Sequence, residues 1–411
     1  MKPMGAIPDG FGSDDGTLLL GGRRADALLK EAGGSPLFVY DMSLVAQRIA
    51  RFRAAFAGVS LHYAIKANPY PPLLSAISKL VDGLDVASGR ELGLAITAGG
   101  KPARLSFAGP GKRDGEIDAA IRAGAVLNCE SEGEVERALR IADGMAVQPR
   151  LAVRVNPPFE IRGSGMRMGG GAKPFGVDSE RVPPLVRRIV DAGADWRGFH
   201  IFAGSQALAA DAIVEAQRAT VSLAAELAET AGHVPPMVNL GGGFGIPYFH
   251  GEQPLDIEHV GEALRRTLEE RSQVLATTRF AIELGRWLVG EAGVYLSRIL
   301  DRKLSHGKLF LVTDGGMHHQ LAASGNFGQV VRRNYPVAIA NRMTEPATEE
   351  ATIVGCLCTP LDRLADDVML PQSNEGDIVA LFMAGAYGLT ASPQAFLAQE
   401  PARETLVGTP D

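Results

Sequence analysis

The sequence predicts an α/β chain in which a (β/α)8, TIM-like barrel is followed by a β-domain. Two observations carry this. Eight short β-rich runs recur at residues 62–66, 84–87, 105–108, 126–129, 151–155, 199–203, 237–240 and 280–284. Between them lie segments such as 116–123, 132–141, 182–192 and 210–231, whose apolar residues fall three to four apart, as on one face of a helix. After Glu283 that helical rhythm stops, and residues 294–300, 308–312, 337–340, 352–356 and 378–382 read as short strands with turns between them. The barrel is expected over residues 41–282, with 1–40 and 283–411 forming the β-domain.

Taken in order, residues 1–40 carry glycine and proline turns around two short apolar runs, Leu18-Leu19-Leu20 and the strand-like Leu37-Phe38-Val39-Tyr40. Residues 43–56 have helical spacing and lead into the first barrel strand. That strand, His62-Tyr63-Ala64-Ile65-Lys66-Ala67-Asn68-Pro69, is an apolar run that finishes on one lysine and a turn. An amine at a barrel mouth, partly desolvated, has a lowered pKa and attacks carbonyls, which points to a Schiff base. A lysine snorkelling from a strand end is the plainer alternative.

Composition excludes several classes. Hydrophobic residues make up 46% and charged residues 21%, ordinary for a soluble enzyme, and the net charge of −6 argues against nucleic-acid binding. No apolar run reaches membrane-spanning length, and residues 1–15 have neither a basic start nor an apolar signal core, so a cytoplasmic protein is expected. Cys129, Cys356 and Cys358 are too few for a disulfide framework, and a lone Cys356-Leu-Cys358 is a weak zinc signal, so no metal is expected. The acidic segment after Arg342 reads as a solvated face.

Active sites of such barrels lie at the C-terminal strand ends, with phosphate held by the loops after strands 7 and 8. The seventh-strand loop reads Gly241-Gly242-Gly243-Phe244-Gly245, where bare backbone N–H groups can wrap an anion, although such a cluster is also a common turn. The eighth strand ends Glu283-Leu284-Gly285-Arg286, which adds a carboxylate and a guanidinium. A lysine, a phosphate cradle, a glutamate and an arginine form the inventory for pyridoxal 5'-phosphate. Lys66 would hold the aldehyde, the glycines and Arg286 the phosphate, and Glu283 would keep the pyridine nitrogen protonated. A Glu283–Arg286 core salt bridge is the alternative for that pair.

The run Tyr63-Ala64-Ile65-Lys66-Ala67-Asn68, Gly198-Phe199-His200, the Gly241–Gly243 triplet, Glu283-Leu284-Gly285-Arg286, Gly355-Cys356-Leu357-Cys358 with Leu361-Asp362, and Gly385-Ala386-Tyr387-Gly388 together resemble the ornithine/diaminopimelate decarboxylases, pyridoxal-phosphate enzymes of fold type III. More narrowly, the chain is similar to the decarboxylases associated with exosortase A systems and to their relative in butirosin biosynthesis, which acts on a glutamyl group tethered to an acyl-carrier protein. The resemblance implies a decarboxylase working through a Lys66 aldimine and a quinonoid. It implies that His200 stacks on the cofactor ring, that Ser205, Gly241, Gly242, Gly243 and Tyr387 complete the phosphate site, and that Asp85 and Arg154 face the cofactor. It further implies a homodimer with shared sites, in which Cys358 of one subunit is the acid that returns a proton to Cα in the other. A core histidine and an interface aromatic remain the alternatives for His200 and Tyr387.

The chain departs from the family's pattern at Thr359, followed by Pro360, where relatives acting on basic amino acids carry an acid that holds a distal ammonium. A neutral hydroxyl puts ornithine, lysine and diaminopimelate in doubt as substrates. Leu284 replaces the family's usual proline, a change of rigidity more than charge. Arg332, Arg333, Tyr335, Thr359 and Asp362 are the substrate-binding candidates. Asp314 to His319 resembles a family segment near the site, and its two histidines read as positioning or structural residues. The glycine-rich loop 160–176, with Arg162, Arg167 and Lys173, is either a plain surface loop or a lid that meets an anionic handle such as a carrier protein. The substrate is expected to be an amino acid or an amino-acyl group on a carrier. An amino-acid racemase of the related fold and a non-catalytic, partner-binding homologue are the competing readings.

Overall fold

The structure, a computed structural model, describes residues 1–160, 165–167, 169–327, 329 and 331–409. The chain forms two compact units, one of Ile49–Ile246 with Pro254–Gly285, the other of Met1–Arg48, Pro247–Gln253 and Arg286–Asp411.

The first unit is a closed barrel of eight parallel strands. They are Ser60–Ala64, Gly83–Val86, Leu105–Phe107, Val126–Cys129, Arg150–Asn156, Asp195–Ile201, Met237–Asn239 and Arg279–Leu284. Each pairs with the next, and the eighth closes on the first with Glu283 opposite His62 and Leu284 opposite Tyr63. All eight runs expected from the sequence are therefore barrel strands. Alternation along each strand divides its residues between two environments. In the first strand Leu61 and Tyr63 are fully buried, whereas Ser60 and His62 line the barrel interior. Helices Asp114–Ala123, Glu132–Met145, Val182–Asp191 and Ala210–Ala231 bury Ile117, Val135, Ile189 and Leu227 among their apolar faces. Each such side chain contributes about 1.5–3 kcal/mol. The interior is instead polar, with His62, Asp85, Asn128, Arg154, Asn239 and Glu283 all buried. Charges in such a place persist only when paired.

Helices Pro71–Ile77, Gly89–Thr97 and Ile257–Glu269 fill further intervals between the strands. The second starts where the Ser88 hydroxyl caps the Glu91 N–H, and the first opens on Pro71-Pro72, both start signals that short apolar windows obscure. The first barrel strand also ends earlier than expected, at Ala64. Lys66 sits on a 3₁₀ turn, Ile65–Ala67.

The second unit is organised by one long strand, Gly293–Ser305. Its first half pairs antiparallel with Leu37–Asp41 and Ile378–Leu381, and its second half with Lys308–Thr313. Beyond these lie Val337–Ile339 on one side, and Glu349–Val354 and Arg363–Leu370 on the other. Arg403–Val407 adds to Leu37–Asp41 in parallel. Phe38 and Tyr295, both fully buried, pack at 4.7 Å between ring centroids in its core. The acidic run expected to be a solvated face proves partly internal: Asp366 is 3% exposed, with Lys2, Arg363 at 3.3 Å and Lys308 at 3.7 Å around it.

Candidate active site

The turn that carries Lys66 is pinned from both sides. Ile65 and Ala67 are buried, Tyr63 Oη donates to the Asn68 carbonyl at 2.8 Å, and Tyr70 N–H donates to Asn68 Oδ1 at 3.0 Å. Lys66 alone points outward from it, 45% exposed, with Nζ 4.0 Å from Glu283 Oε1 and 5.8 Å from the Phe202 ring centre. The first and eighth strands are neighbours, so the amine and the carboxylate share one end of the barrel.

Glu283 is held by more than the lysine. His200 Nε2 lies 2.9 Å from its Oε2, both groups buried. Burial alone would raise the Glu283 carboxyl, but the His200 hydrogen bond and the charges of His200, Lys66 and Arg154 outweigh it and hold the group well below the usual carboxylate range. At neutral pH Glu283 is an anion. His200 Nδ1 is buried with no partner among the described residues.

Asp85 and Arg154 are both in the barrel interior. Asp85 faces His62, whose Nδ1 is 3.2 and 3.5 Å from its two carboxylate oxygens. Burial works against a charge on His62, yet Asp85 more than compensates and raises the imidazole above its ordinary value. Arg154 Nη1 donates to Glu130 Oε1 at 2.8 Å, and Glu130 Oε2 accepts the Gly176 N–H at 3.2 Å.

The glycine triplet has two separate justifications. A Cβ on Gly242 would fall 1.8 Å from the Glu283 carbonyl oxygen, and one on Gly243 2.0 Å from that of Gly204, so close packing alone requires glycine. Gly241 and Gly243 also have φ of +69° and +81°. The Gly241 N–H donates to Asn239 Oδ1 at 2.9 Å. Among the described residues no acceptor meets the N–H of Gly242 or Gly243, and both glycines are half-exposed beside Ser205. Unpaired backbone amides of this kind can cradle an anion.

In the second unit Arg286 Nη1 donates to Tyr248 Oη at 2.7 Å, and its guanidinium lies 4.7 Å from the Tyr387 ring centre. Tyr387 has φ of +52°, a conformation that costs a non-glycine residue energy and clusters at functional sites. Cys358 is exposed and Thr359 half-buried on the turn after Glu349–Val354. The remaining substrate-binding candidates have partners within the chain. Asp362 is 2% exposed and accepts the N–H groups of Met317 at 2.6 Å and Leu357 at 2.9 Å, which makes it a clamp between two loops. Arg333 is already neutralised by Glu252 at 3.0 Å, Arg332 donates to the Arg363 carbonyl, and Tyr335 is buried 4.8 Å from the Tyr248 ring. Of the basic loop, Arg162 lies outside the described residues, residues 166 and 167 pair with Ser205 and Gly204, and Lys173 is half-buried.

The family model "Pyridoxal-dependent decarboxylase, pyridoxal binding domain" matches residues 42–290, more than half of the chain. The chain belongs to the pyridoxal-dependent decarboxylase family. It is 34% identical over 370 residues to the L-glutamyl-[BtrI acyl-carrier protein] decarboxylase of Niallia circulans, covering 88% of this chain and 86% of that one. With the diaminopimelate decarboxylase of Methanothermobacter thermautotrophicus it shares 31% over 402 residues, covering 94% and 90%. The crystal structure of diaminopimelate decarboxylase from M. jannaschi superposes with a TM-score of 0.87 at 25% identity, covering 97% and 92%.

This decarboxylase uses pyridoxal phosphate, and its residues fit the cofactor by their chemistry. The barrel mouth offers an amine, a buried carboxylate anion, a buried imidazole nitrogen without a partner, and two unpaired amides with a serine beside them. Two members of the barrel interior escaped the sequence reading. His62 stood in plain view in the lysine run, but its Asp85 partner is 23 residues away and only strand pairing brings them together. Glu130, one residue past the fourth strand, carried the weak signal of a carboxylate at a strand end.

Proposed function

We propose that this decarboxylase removes the α-carboxylate of an amino-acyl group carried by a protein. Two observations support the reading. The relative from Niallia circulans is named for a carrier-bound glutamyl substrate. Thr359, which follows Cys358, offers a neutral hydroxyl where a distal ammonium would need a carboxylate.

Pyridoxal phosphate, when bound, supplies an electron sink conjugated to the carbon that loses carbon dioxide. Lys66 is the residue that holds it covalently, on a turn whose flanking residues are buried. Glu283, kept anionic by His200, Lys66 and Arg154, stabilises a proton on the ring nitrogen. Gly242 and Gly243 donate their N–H groups to the phosphate, with Ser205 completing that part of the subsite. Asp85 and Arg154 are held from behind by His62 and Glu130, and so present fixed groups to the cofactor. Cys358 is the acid that returns a proton to Cα. Its exposure suits a role in the partner subunit's site of a homodimer, and the enzyme is proposed to work in the cytoplasm.

The Lys66–Glu283 approach of 4.0 Å, with His200 at 2.9 Å on the far carboxylate oxygen, supports the cofactor chemistry, and the single observation that supports the substrate assignment is Thr359 beside Cys358. The test is carbon dioxide release by the holoenzyme from L-glutamyl acyl-carrier protein against free L-glutamate, L-ornithine, L-lysine and diaminopimelate. A preference of about 100-fold or more in kcat/KM for the carrier-bound form is expected. Equal or faster turnover of diaminopimelate would overturn the substrate assignment.

A further inference from the structure

At the end of the barrel away from Lys66, the strand beginnings enclose a cavity of about 250 Å³. Its rim carries Arg104, Arg197 and Arg279, and its inner wall His62, Ser106 and Asn128. The charges there do not balance. Asp82 is taken by Arg53 and by the Leu61 N–H at 2.7 Å. Asp195 is shared between Arg150 and Arg197, each at 3.4 Å. The guanidiniums of Arg104 and Arg279 have neither a carboxylate nor a hydrogen-bond acceptor among the described residues.

The inner wall is built for polar contact. Asn128 Nδ2 donates to Ser106 Oγ at 2.6 Å, which orients the amide. Gly83 leaves the space that His62 fills: a Cβ there would sit 2.7 Å from both Cε1 and Nε2 of the imidazole. His62 thus touches the cavity with one part of its ring and Asp85 with the other. Guanidiniums grouped around a small concavity recognise oxyanions through paired N–H donors, and the strand walls admit nothing larger than a small molecule.

We propose that this N-terminal cavity is a second binding site, for a small oxyanion of the carboxylate or phosphate class, linked to the cofactor site through His62 and Asp85. An anion beside His62 favours its protonated form, and that charge in turn strengthens its hold on Asp85. By reciprocity, whatever the anion does to the cofactor site, cofactor and substrate do to the anion's affinity. The link, though not the site, rests on the reading of Asp85 as a residue that faces the cofactor.

The test uses holoenzyme, whose phosphate subsite is filled, titrated calorimetrically with inorganic phosphate and separately with succinate against chloride at equal ionic strength. Saturable binding with a Kd of about 1 mM or tighter is expected for one of the two, weakened about tenfold or more in Arg104→Ala/Arg279→Ala. Both substitutions lie on the exposed rim, and an unchanged Tm with unchanged cofactor content shows that the variant is folded. No saturable heat with either anion, or equal affinity in the double variant, overturns the site. In the second arm the saturating anion alters the visible cofactor band of the wild type and leaves His62→Asn unaltered. A wild-type band that does not respond while the anion binds overturns the link alone.

Discussion

Glu283→Gln is the substitution that bears most directly on the chemistry, because it keeps the shape of the side chain and removes its charge. The His200–Glu283 contact at 2.9 Å is a buried hydrogen bond to a charged group, worth about 1.5–3 kcal/mol. At 4.0 Å the attraction to Lys66 is roughly 4 kcal/mol for an effective dielectric near 20. The ammonium is 45% exposed, and solvent reduces that to on the order of 1 kcal/mol. A carboxylate that steadies nearby cations by about 3 kcal/mol is available to a protonated ring nitrogen at similar strength. Losing it should raise the barrier by that amount and lower kcat on the order of 100-fold. The assay is carbon dioxide release under saturating substrate, with borohydride reduction and peptide mass to verify that Lys66 still takes up the cofactor. A variant that binds the cofactor and turns over within threefold of wild type would refute the assignment of Glu283.

Three further outcomes follow from particular contacts. Gly242→Ala places a Cβ 1.8 Å from the Glu283 carbonyl oxygen, and overpacking of that kind should cost about 1–3 kcal/mol, read as a lower Tm together with weaker cofactor retention. His62 has a raised folded pKa, so its pairing with Asp85 stabilises fully below the ordinary value of 6.5 and fades as pH climbs through the higher folded value. Chemical denaturation should show wild type losing stability relative to His62→Asn as pH rises above 6.5, and parallel curves would contradict the pairing. If Cys358 acts in the partner's site, mixing Cys358→Ala with Lys66→Ala protomers, each inactive alone, should restore up to about a quarter of wild-type activity through hybrid dimers. No recovery after verified subunit exchange would sink the shared-site proposal.

The barrel was legible because parallel strands covered by helices read as short continuous apolar runs, from Leu61 and Tyr63 through Ile282 and Leu284. Lys66 and Glu283 were legible for the complementary reason that each interrupts such a run at its end. Less accessible were groups whose meaning lies in a partner on another strand, such as His62 with Asp85 and Arg154 with Glu130. Strand Arg363–Leu370 was hidden because Asp366 and Asp367 make it look like a solvated segment, although Lys308 and Arg363 neutralise that charge. The contacts of Asp362 with Met317 and Leu357, and of Arg333 with Glu252, were hidden in the same way, since nothing local in sequence shows them.

The long strand Gly293–Ser305 has a consequence for how the polypeptide emerges from the ribosome. Leu37–Asp41 leaves the exit tunnel long before its partners, since its antiparallel neighbour is made some 250 residues later and its parallel neighbour, Arg403–Val407, some 360 residues later. All eight strands of the barrel are complete by Leu284, so that unit can fold during translation while the early strand waits unpaired. The slow step in maturation should therefore be the late capture of Leu37–Asp41, and nascent chains halted before residue 293 should expose that segment to protease.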